Sequence, residues 1–357
     1  MAEKILVINP GSTSTKIALF DGENQEFVES VDHPAEVIGS FKTIPEQLDM
    51  RTDVVRDTLK EHSVSIDGLD AVIGRGGMLY NIKAGGYKVN DDMVKALMTG
   101  QCYPHASNLG ALIASRIASQ AGIPAFISDC VTADEWDDIA RISGSAALTR
   151  VPGCHVLNQK AVGRIVAGKY NRSYDEVNMV ILHMGGGVSV GAHDHGKIVD
   201  NVRDDEGAFS PQRTGELPLM QFLQMAEREH YSIDQLKSMV RGKGGVTSYL
   251  GTADMREVEK RAGSGDEKAK QVLDAFIYQV SKDAGAMASV LSFDVDCIVL
   301  TGGIAYSEYV TSGISARIGK IAPVEIVPGE DEMNALSSAC LAMLRGEMEI
   351  KEYKLKQ

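Results

Sequence analysis

The sequence lacks what a membrane, secreted or nucleic-acid-binding protein would need. Its 357 residues contain no uninterrupted apolar run near the roughly 18 that span a bilayer. The first apolar run, Ile5-Leu6-Val7-Ile8, stops at Asn9-Pro10, too short for the apolar region of a signal peptide. No membrane partner is therefore expected. Positive charge is also scarce: 36 Lys and Arg against 49 Asp and Glu leave a net charge of −13, the wrong sign for neutralising a phosphate backbone. Nucleic acid is excluded as a partner on that ground. Only five cysteines occur (Cys102, Cys130, Cys154, Cys297, Cys340), odd in number, far apart and without a Cys-x-x-Cys. That pattern fits neither a disulfide framework nor a zinc site, and a reducing cytoplasm is the expected home. No Walker A loop is present, and no low-complexity linker divides the chain.

Glycine, at 36 residues, is over-used and clustered. Lys4–Asn9 and Lys16–Phe20 read as strands joined by the polar turn Pro10-Gly11-Ser12-Thr13-Ser14-Thr15. A second unit of this kind runs from Asn178–His183 through Met184-Gly185-Gly186-Gly187 to Val188–Ala192, at an offset of 174 residues. Asp70-Ala71-Val72-Ile73-Gly74-Arg75-Gly76-Gly77 likewise matches Asp296-Cys297-Ile298-Val299-Leu300-Thr301-Gly302-Gly303, at an offset of 226. The growth in offset places an insertion of 52 residues in the second half. The pattern predicts a duplicated α/β domain with mixed sheets, the halves meeting at a hinge.

Helices are predicted in the gaps. Ala106–Gln120 carries Leu109, Leu112, Ile113 and Ile117 at helical spacing. Thr132-x-x-Glu135 and Ser232-x-x-Gln235 have the form of capping boxes, each expected to start a helix. Asp266–Leu291 reads as a long helix feeding a strand at Val295–Leu300, and Met333–Leu344 as a last helix closed by Gly346. Lys351–Lys356 reads as a solvated basic tail.

Gly11-Ser12-Thr13-Ser14-Thr15-Lys16 offers backbone N–H groups, hydroxyls and an ammonium, the donors a phosphate needs, or else forms an ordinary polar turn. The three successive glycines of the second turn favour the first reading, because they let backbone approach a bulky anion. Arg75 ends a buried strand beside two glycines, which is hard to explain as surface charge. Arg213, in Ser210-Pro211-Gln212-Arg213-Thr214-Gly215, could equally be a solvated side chain. His105, His155 and His183 could each be structural, yet all three stand at element ends. Asp129 closes the strand Ala125–Ser128, the usual position of a site residue in an α/β sheet or of a loop-capping Asp.

The segment Val7–Lys16 resembles the opening signature of the acetate kinase family of carboxylate kinases. Cys154-His155 and His183-Met184-Gly185-Gly186-Gly187 are similar to its second signature. Gly74-Arg75-Gly76-Gly77-Met78, Tyr103–Asn108 and Pro328–Met333 look most like the butyrate-using branch. The resemblance implies duplicated ribonuclease H-like domains of the actin-type ATPases with a cleft between them. Its domains would be residues 1–130 with 333–357, and residues 131–332.

By the same resemblance Asn9 and an acid of Glu330-Asp331-Glu332, with Asp331 or Glu332 the best match, serve a Mg²⁺ site. Arg75 and Arg213 bracket the acid's carboxylate and the transferring phosphoryl group, and His155 donates to that group. Asp129 matches the catalytic aspartate, and His105 and Cys154 lie near the substrate. Ser12, Ser14, Lys16, His183, Gly185, Gly186 and Gly187 would hold the ATP phosphates. Asp254, Arg256, Gly302, Gly303 and Ile304 would hold the adenosine, although Gly303-Ile304-Ala305-Tyr306-Ser307 replaces the family's acidic form there.

The implied reaction is reversible phosphoryl transfer from ATP to butanoate, giving butanoyl phosphate and ADP. Acetate kinases carry a phenylalanine where Cys154 stands and a longer segment after the residue matching Arg75, so this chain has room for a longer alkyl group. Isobutyrate, propionate or acetate are the alternative acids. The alternative of another class is a non-catalytic actin-fold protein that binds ATP, which would have no use for Arg75, His105, Asp129, His155 and Arg213 together. A homo-oligomer, a dimer or larger, is expected.

Overall fold

The computed structural model describes residues 2–355. They fall into two contact-dense units, one taking the chain up to Asp134 and again from Asp331, the other running Glu135–Glu330.

The first unit is built on a seven-stranded sheet. Its strands are β1 (Lys4–Pro10), β2 (Ser14–Asp21), β3 (Asn24–Asp32), β4 (Ala71–Arg75), β5 (Gly86–Lys88) and β6 (Ala125–Ser128), with β12 (Ile350–Glu352) returning from the end of the chain. The order is β12-β5-β6-β4-β1-β2-β3. From Ile5 to Pro10, β1 is buried on both faces, which is why it reads as a continuous apolar run, whereas β3 is an edge strand of mostly exposed polar residues. The second unit holds β7 (Asn178–Met184), β8 (Val188–Asp194), β9 (Lys197–Val202), β10 (Cys297–Gly302) and β11 (Val324–Pro328) in the order β11-β10-β7-β8-β9.

Each sheet repeats one plan: an antiparallel meander whose first strand also pairs in parallel with a later one. The parallel pair Ile5↔Ala71 becomes Met179↔Cys297, so the pairing register obeys both sequence offsets. The hairpin turns differ by one residue, since Pro10 pairs with Thr15 but Met184 with Val188.

Helices cover the sheets along apolar stripes. Asn108–Ala121 lies so close to β4 that a Cβ on Gly74 would fall on the Gly110 carbonyl. Two glycines meeting backbone to backbone thus fix the strand that ends in Arg75. Glu267–Val290 begins at Asp266, whose carboxylate accepts from the Ala269 amide at 3.0 Å, and buries Val272, Phe276, Val280 and Met287 on one face. Ser232 and Gln235 do form a reciprocal capping box, starting Ile233–Val240. The short helices from Leu219 to Leu250 occupy the long insertion of the second half.

Two sequence expectations fail. No helix starts at Thr132, because its hydroxyl donates instead to the Leu79 carbonyl at 2.6 Å and Glu135 pairs with Lys160 at 2.7 Å. Tertiary partners outcompete the local cap. Nor is Lys351–Lys356 a free tail: Ile350–Glu352 adds a parallel strand to β5, Lys351 Nζ donates to the Ala84 carbonyl at 2.6 Å, and Tyr353 is buried. Lys356 lies outside the described residues. Among the described residues no helix is long and apolar enough to cross a membrane.

Candidate active site

In the second unit a cleft of about 1100 Å³ is lined by Gly185 and Gly186 from the β7–β8 turn, by Asp254, Met255 and Arg256, and by Gly303 and Ile304. Three segments distant in sequence thus share one wall. Asp254 caps the helix Met255–Gly263, accepting from the Arg256 amide at 3.0 Å. The Arg256 guanidinium also forks onto it at 2.8 and 3.0 Å, and these bonds hold the carboxyl at about 2.

The glycines of the turn serve different ends. A Cβ on Gly187 would fall on the Arg213 guanidinium, and one on Gly185 would stand 3.2 Å from Glu330 Oε1. Beside Gly186 there is open space. Arg213 Nη1 pairs with Asp204 at 2.7 Å, and Arg241 takes the other oxygen of that carboxylate at 2.8 Å. Arg213 is therefore packed and paired, not a solvated side chain.

Behind the turn His183, at the end of β7, is almost fully buried. Its Nδ1 lies 2.7 Å from Asn158 Oδ1, its Nε2 lies 3.1 Å from Glu330 Oε1, and its ring stacks on His155 at 3.8 Å between centroids. His155 stands just before the helix Val156–Lys169, making no side-chain bond to its first turn, and bonds to Ser189 Oγ through Nδ1 at 2.8 Å. Cys154 precedes it, and burial pushes its thiol up to about 12, so it acts as a small apolar group.

The first unit gathers a second cluster. Asn9, near the end of β1, donates through Nδ2 to Glu332 Oε2 at 2.6 Å. Arg75, at the end of β4, reaches the same carboxylate with Nη1 at 3.1 Å and Nη2 at 2.8 Å. Glu332 is buried in the first turn of Glu332–Leu344, whereas Asp331 is exposed and held by Asn334 at 2.6 Å. Of the three acids Glu330-Asp331-Glu332 that the sequence left open, the fold brings Glu332 to Asn9 and Glu330 to His183. Asp129 is buried with φ +45° and accepts from the Gly85 amide at 2.9 Å. His105 is exposed and bonded to Ser107 at 2.8 Å.

The turn at Gly11–Thr13 leaves Ser12 exposed and Ser14 half-buried. Lys16 lies on β2, its side chain on the exposed face while Thr15 and Ile17 point inward. The turn is held from beneath by Arg51, a residue that reasoning from motifs passes over. Its side chain is fully buried, and it donates to the Ser14 carbonyl at 2.8 Å, Thr15 Oγ1 at 3.1 Å and the Ser12 carbonyl at 3.2 Å. No carboxylate pairs with it in these bonds, and desolvation lowers its pKa to about 10. The sequence signal was there: Arg51 falls in the stripe Leu48, Thr52, Val55, Leu59 where an apolar side chain belongs. Gln159 and Ser189 were passed over as well.

Residues 144–319 match the model of the Acetokinase family. The chain is 46% identical over 356 residues to butyrate kinase 2 of Clostridium acetobutylicum, covering 99% of this chain and 100% of that one. It is 44% identical over 353 residues to butyrate kinase 1 of the same organism, covering 98% and 99%. Its fold superposes on Porphyromonas gingivalis acetate kinase with a TM-score of 0.78 at 19% identity, covering 96% of this chain and 100% of that one. For a propionate kinase from Francisella tularensis the TM-score is 0.74 at 17% identity, covering 94% and 98%. The two mixed sheets are those of the actin-like ATPase fold of such kinases, and with full-length identity of this order the chain belongs to the acetokinase family.

Proposed function

We propose that this chain is a butyrate kinase, transferring the γ-phosphoryl group of ATP to butanoate. The observation that carries the nucleotide half is the single cleft where Gly185 and Gly186 meet the Asp254–Arg256 and Gly303–Ile304 segments. The choice of acid is supported by the two Clostridium acetobutylicum relatives named above, each a butyrate kinase matched over its full length.

Butanoate is ionised at neutral pH and needs no general base. One carboxylate oxygen forms a bond to the γ-phosphorus, the bond to the β,γ-bridging oxygen breaks, and ADP leaves with that electron pair. The barrier is electrostatic, because an anion approaches a polyanion. In this reading Arg75 and Arg213 spread the charge, and His155 donates a hydrogen bond to the transferring group. Ser12, Ser14, Lys16 and His183 belong to the phosphate-binding set, and Asp129 and His105 orient their neighbours. The product is an acyl phosphate, so the step runs in reverse to make ATP.

Glu332 and Asn9 carry buried side-chain oxygens of the kind Mg²⁺ takes when it is held mainly through substrate phosphates and water, and an ion there would displace the bonds that Asn9 Nδ2 and Arg75 make to the Glu332 carboxylate. When bound, Mg²⁺ neutralises phosphate charge; Glu332 and Asn9 would hold it. A cytoplasmic setting is part of the proposal, supported by five buried free thiols.

The test is a hydroxamate assay of acyl phosphate formation across acids of two to six carbons. Butanoate should give the highest kcat/KM, and ATP consumption independent of any acid would sink the proposal. Each buried methylene is worth about 0.8 kcal/mol, so two favour butanoate over acetate by up to roughly fifteenfold. Cys154→Phe, in place of the small buried thiol, should shift the preference toward acetate.

A further inference from the structure

A chain of buried polar side chains ends on His155. Ser189 and His193 lie two positions either side of Gly191 on β8 and share one face of the strand. Between them lies the carboxamide of Gln159, from the helix Val156–Lys169, where a Cβ on Gly191 would stand 2.5 Å from its Oε1. All three side chains are buried where apolar ones would pack more cheaply, so the polar set calls for a reason.

The hydrogens along this chain can be assigned from one backbone group. Gln159 Nε2 lies 3.3 Å from the Ser189 carbonyl, which can only accept. That orients the carboxamide, with Nε2 also donating to Ser189 Oγ at 3.0 Å and Oε1 turned to His193 Nε2 at 3.0 Å. His193 must donate from Nε2. Burial keeps this ring neutral down to about 3, so its Nδ1 accepts from the Tyr174 hydroxyl at 2.5 Å. Ser189 Oγ already accepts from Gln159 Nε2 and from the His155 amide at 3.3 Å. Its own hydrogen has one acceptor left, His155 Nδ1 at 2.8 Å.

We infer that Ser189, oriented by Gln159 and His193, is a positioning residue that holds His155 in the tautomer with its proton on Nε2. The inference rests on the proposed role of His155 as a hydrogen-bond donor to the phosphoryl group. A neutral imidazole can donate from one nitrogen only, and the wrong tautomer would turn a lone pair toward an anion. Ser189 removes that alternative before substrate arrives. Gln159 is needed because a serine hydroxyl by itself could donate or accept.

The test is nitrogen-15 NMR of the full-length protein labelled at histidine, with His155 signals assigned by their loss in His155→Asn. Wild type should show an unprotonated Nδ1 and a protonated Nε2. In Ser189→Ala the Nδ1–H form should appear, and kcat should fall by about one to two powers of ten while KM for ATP and butanoate stays within about twofold. Ser189→Thr, which keeps the hydroxyl, should restore both the spectrum and kcat. Should Ser189→Ala fail to fold, Gln159→Met removes the group that orients the hydroxyl and should give the same mixed tautomers. A wild-type His155 protonated on Nδ1, or an unchanged tautomer in a folded variant, overturns the inference. Normal turnover in His155→Asn would instead overturn the catalytic role of His155 and leave the spectrum to decide the positioning.

Discussion

Arg75 lays both terminal nitrogens of its guanidinium on the carboxylate of Glu332, at 3.1 and 2.8 Å, across 257 positions of sequence. Asn9 grips the same carboxylate from β1. The fork is thus preoriented by an internal carboxylate whose shape is that of the acid it is proposed to read. Arg75→Ala is expected to lower kcat by about two to four powers of ten, the loss of a transition-state donor worth roughly 3 to 4 kcal/mol. Arg75→Lys should rescue little, since a point charge cannot make the forked contact. Steady-state kinetics with a folded variant check this, and near-normal turnover removes Arg75 from the mechanism.

The glycines of the second turn separate space for a ligand from space for the protein. Gly186 faces open space, so Gly186→Val should leave the melting temperature of the free protein within a few degrees while weakening ATP binding. Gly187→Ala should do the opposite first, displacing the Arg213 guanidinium and costing both stability and turnover. Calorimetry of ATP binding beside thermal melts distinguishes the two, and unaltered affinity in Gly186→Val would make that glycine structural.

Arg51 is expected to matter for the first turn in proportion to the acceptors it leaves behind. Arg51→Met removes a donor from the Ser12 and Ser14 carbonyls, Thr15 Oγ1 and Gln47 Oε1; the Ser14 carbonyl keeps the Gly11 amide and Thr15 Oγ1 keeps His33 Nε2, so the cost, roughly 1 to 3 kcal/mol for each group left unsatisfied, falls on the Ser12 carbonyl and Gln47 Oε1. Denaturant unfolding should show a loss of at least about 2 kcal/mol. Arg51→Lys should recover part of that loss, because an ammonium can still donate to some of them. An unchanged midpoint in both variants would show that the turn holds itself.

His193 makes stability depend on pH with a definite sign. Its pKa falls from an ordinary 6.5 to about 3 in the folded protein, because burial disfavours the charged ring and Lys160 repels it. Below 6.5 the unfolded chain therefore binds a proton that the folded chain refuses. Stability due to this group is complete above pH 6.5 and is lost as pH falls toward 3. The difference in unfolding free energy between wild type and His193→Gln should slope by about 1.4 kcal/mol per pH unit in that window. A flat difference would mean that His193 charges without resistance.

The sequence by itself determined the architecture. Two offsets of 174 and 226 residues foretold a duplicated domain, and the register Ile5↔Ala71 recurs as Met179↔Cys297 at those offsets, because strands are marked by the length and pattern of apolar runs, which are local properties. The glycine turns, Arg75 and the paired histidines were legible for a similar reason, since their backbone and terminal positions leave marks in neighbouring residues. What surrounds each side chain was decided only by tertiary structure. Whether Asp331 or Glu332 meets Asn9 depends on how the last helix docks on the sheet, and one residue of rotation about a helix axis exchanges a buried face for an exposed one. Thr132-x-x-Glu135 lost its helix to Leu79 and Lys160, partners that no local pattern announces. The supports under Ser12–Ser14 and behind His155 were invisible for the same physical reason: a hydrogen bond joins groups adjacent in space, and Arg51 meets the first turn, as Gln159 and Ser189 meet the surroundings of His155, only after each unit has folded.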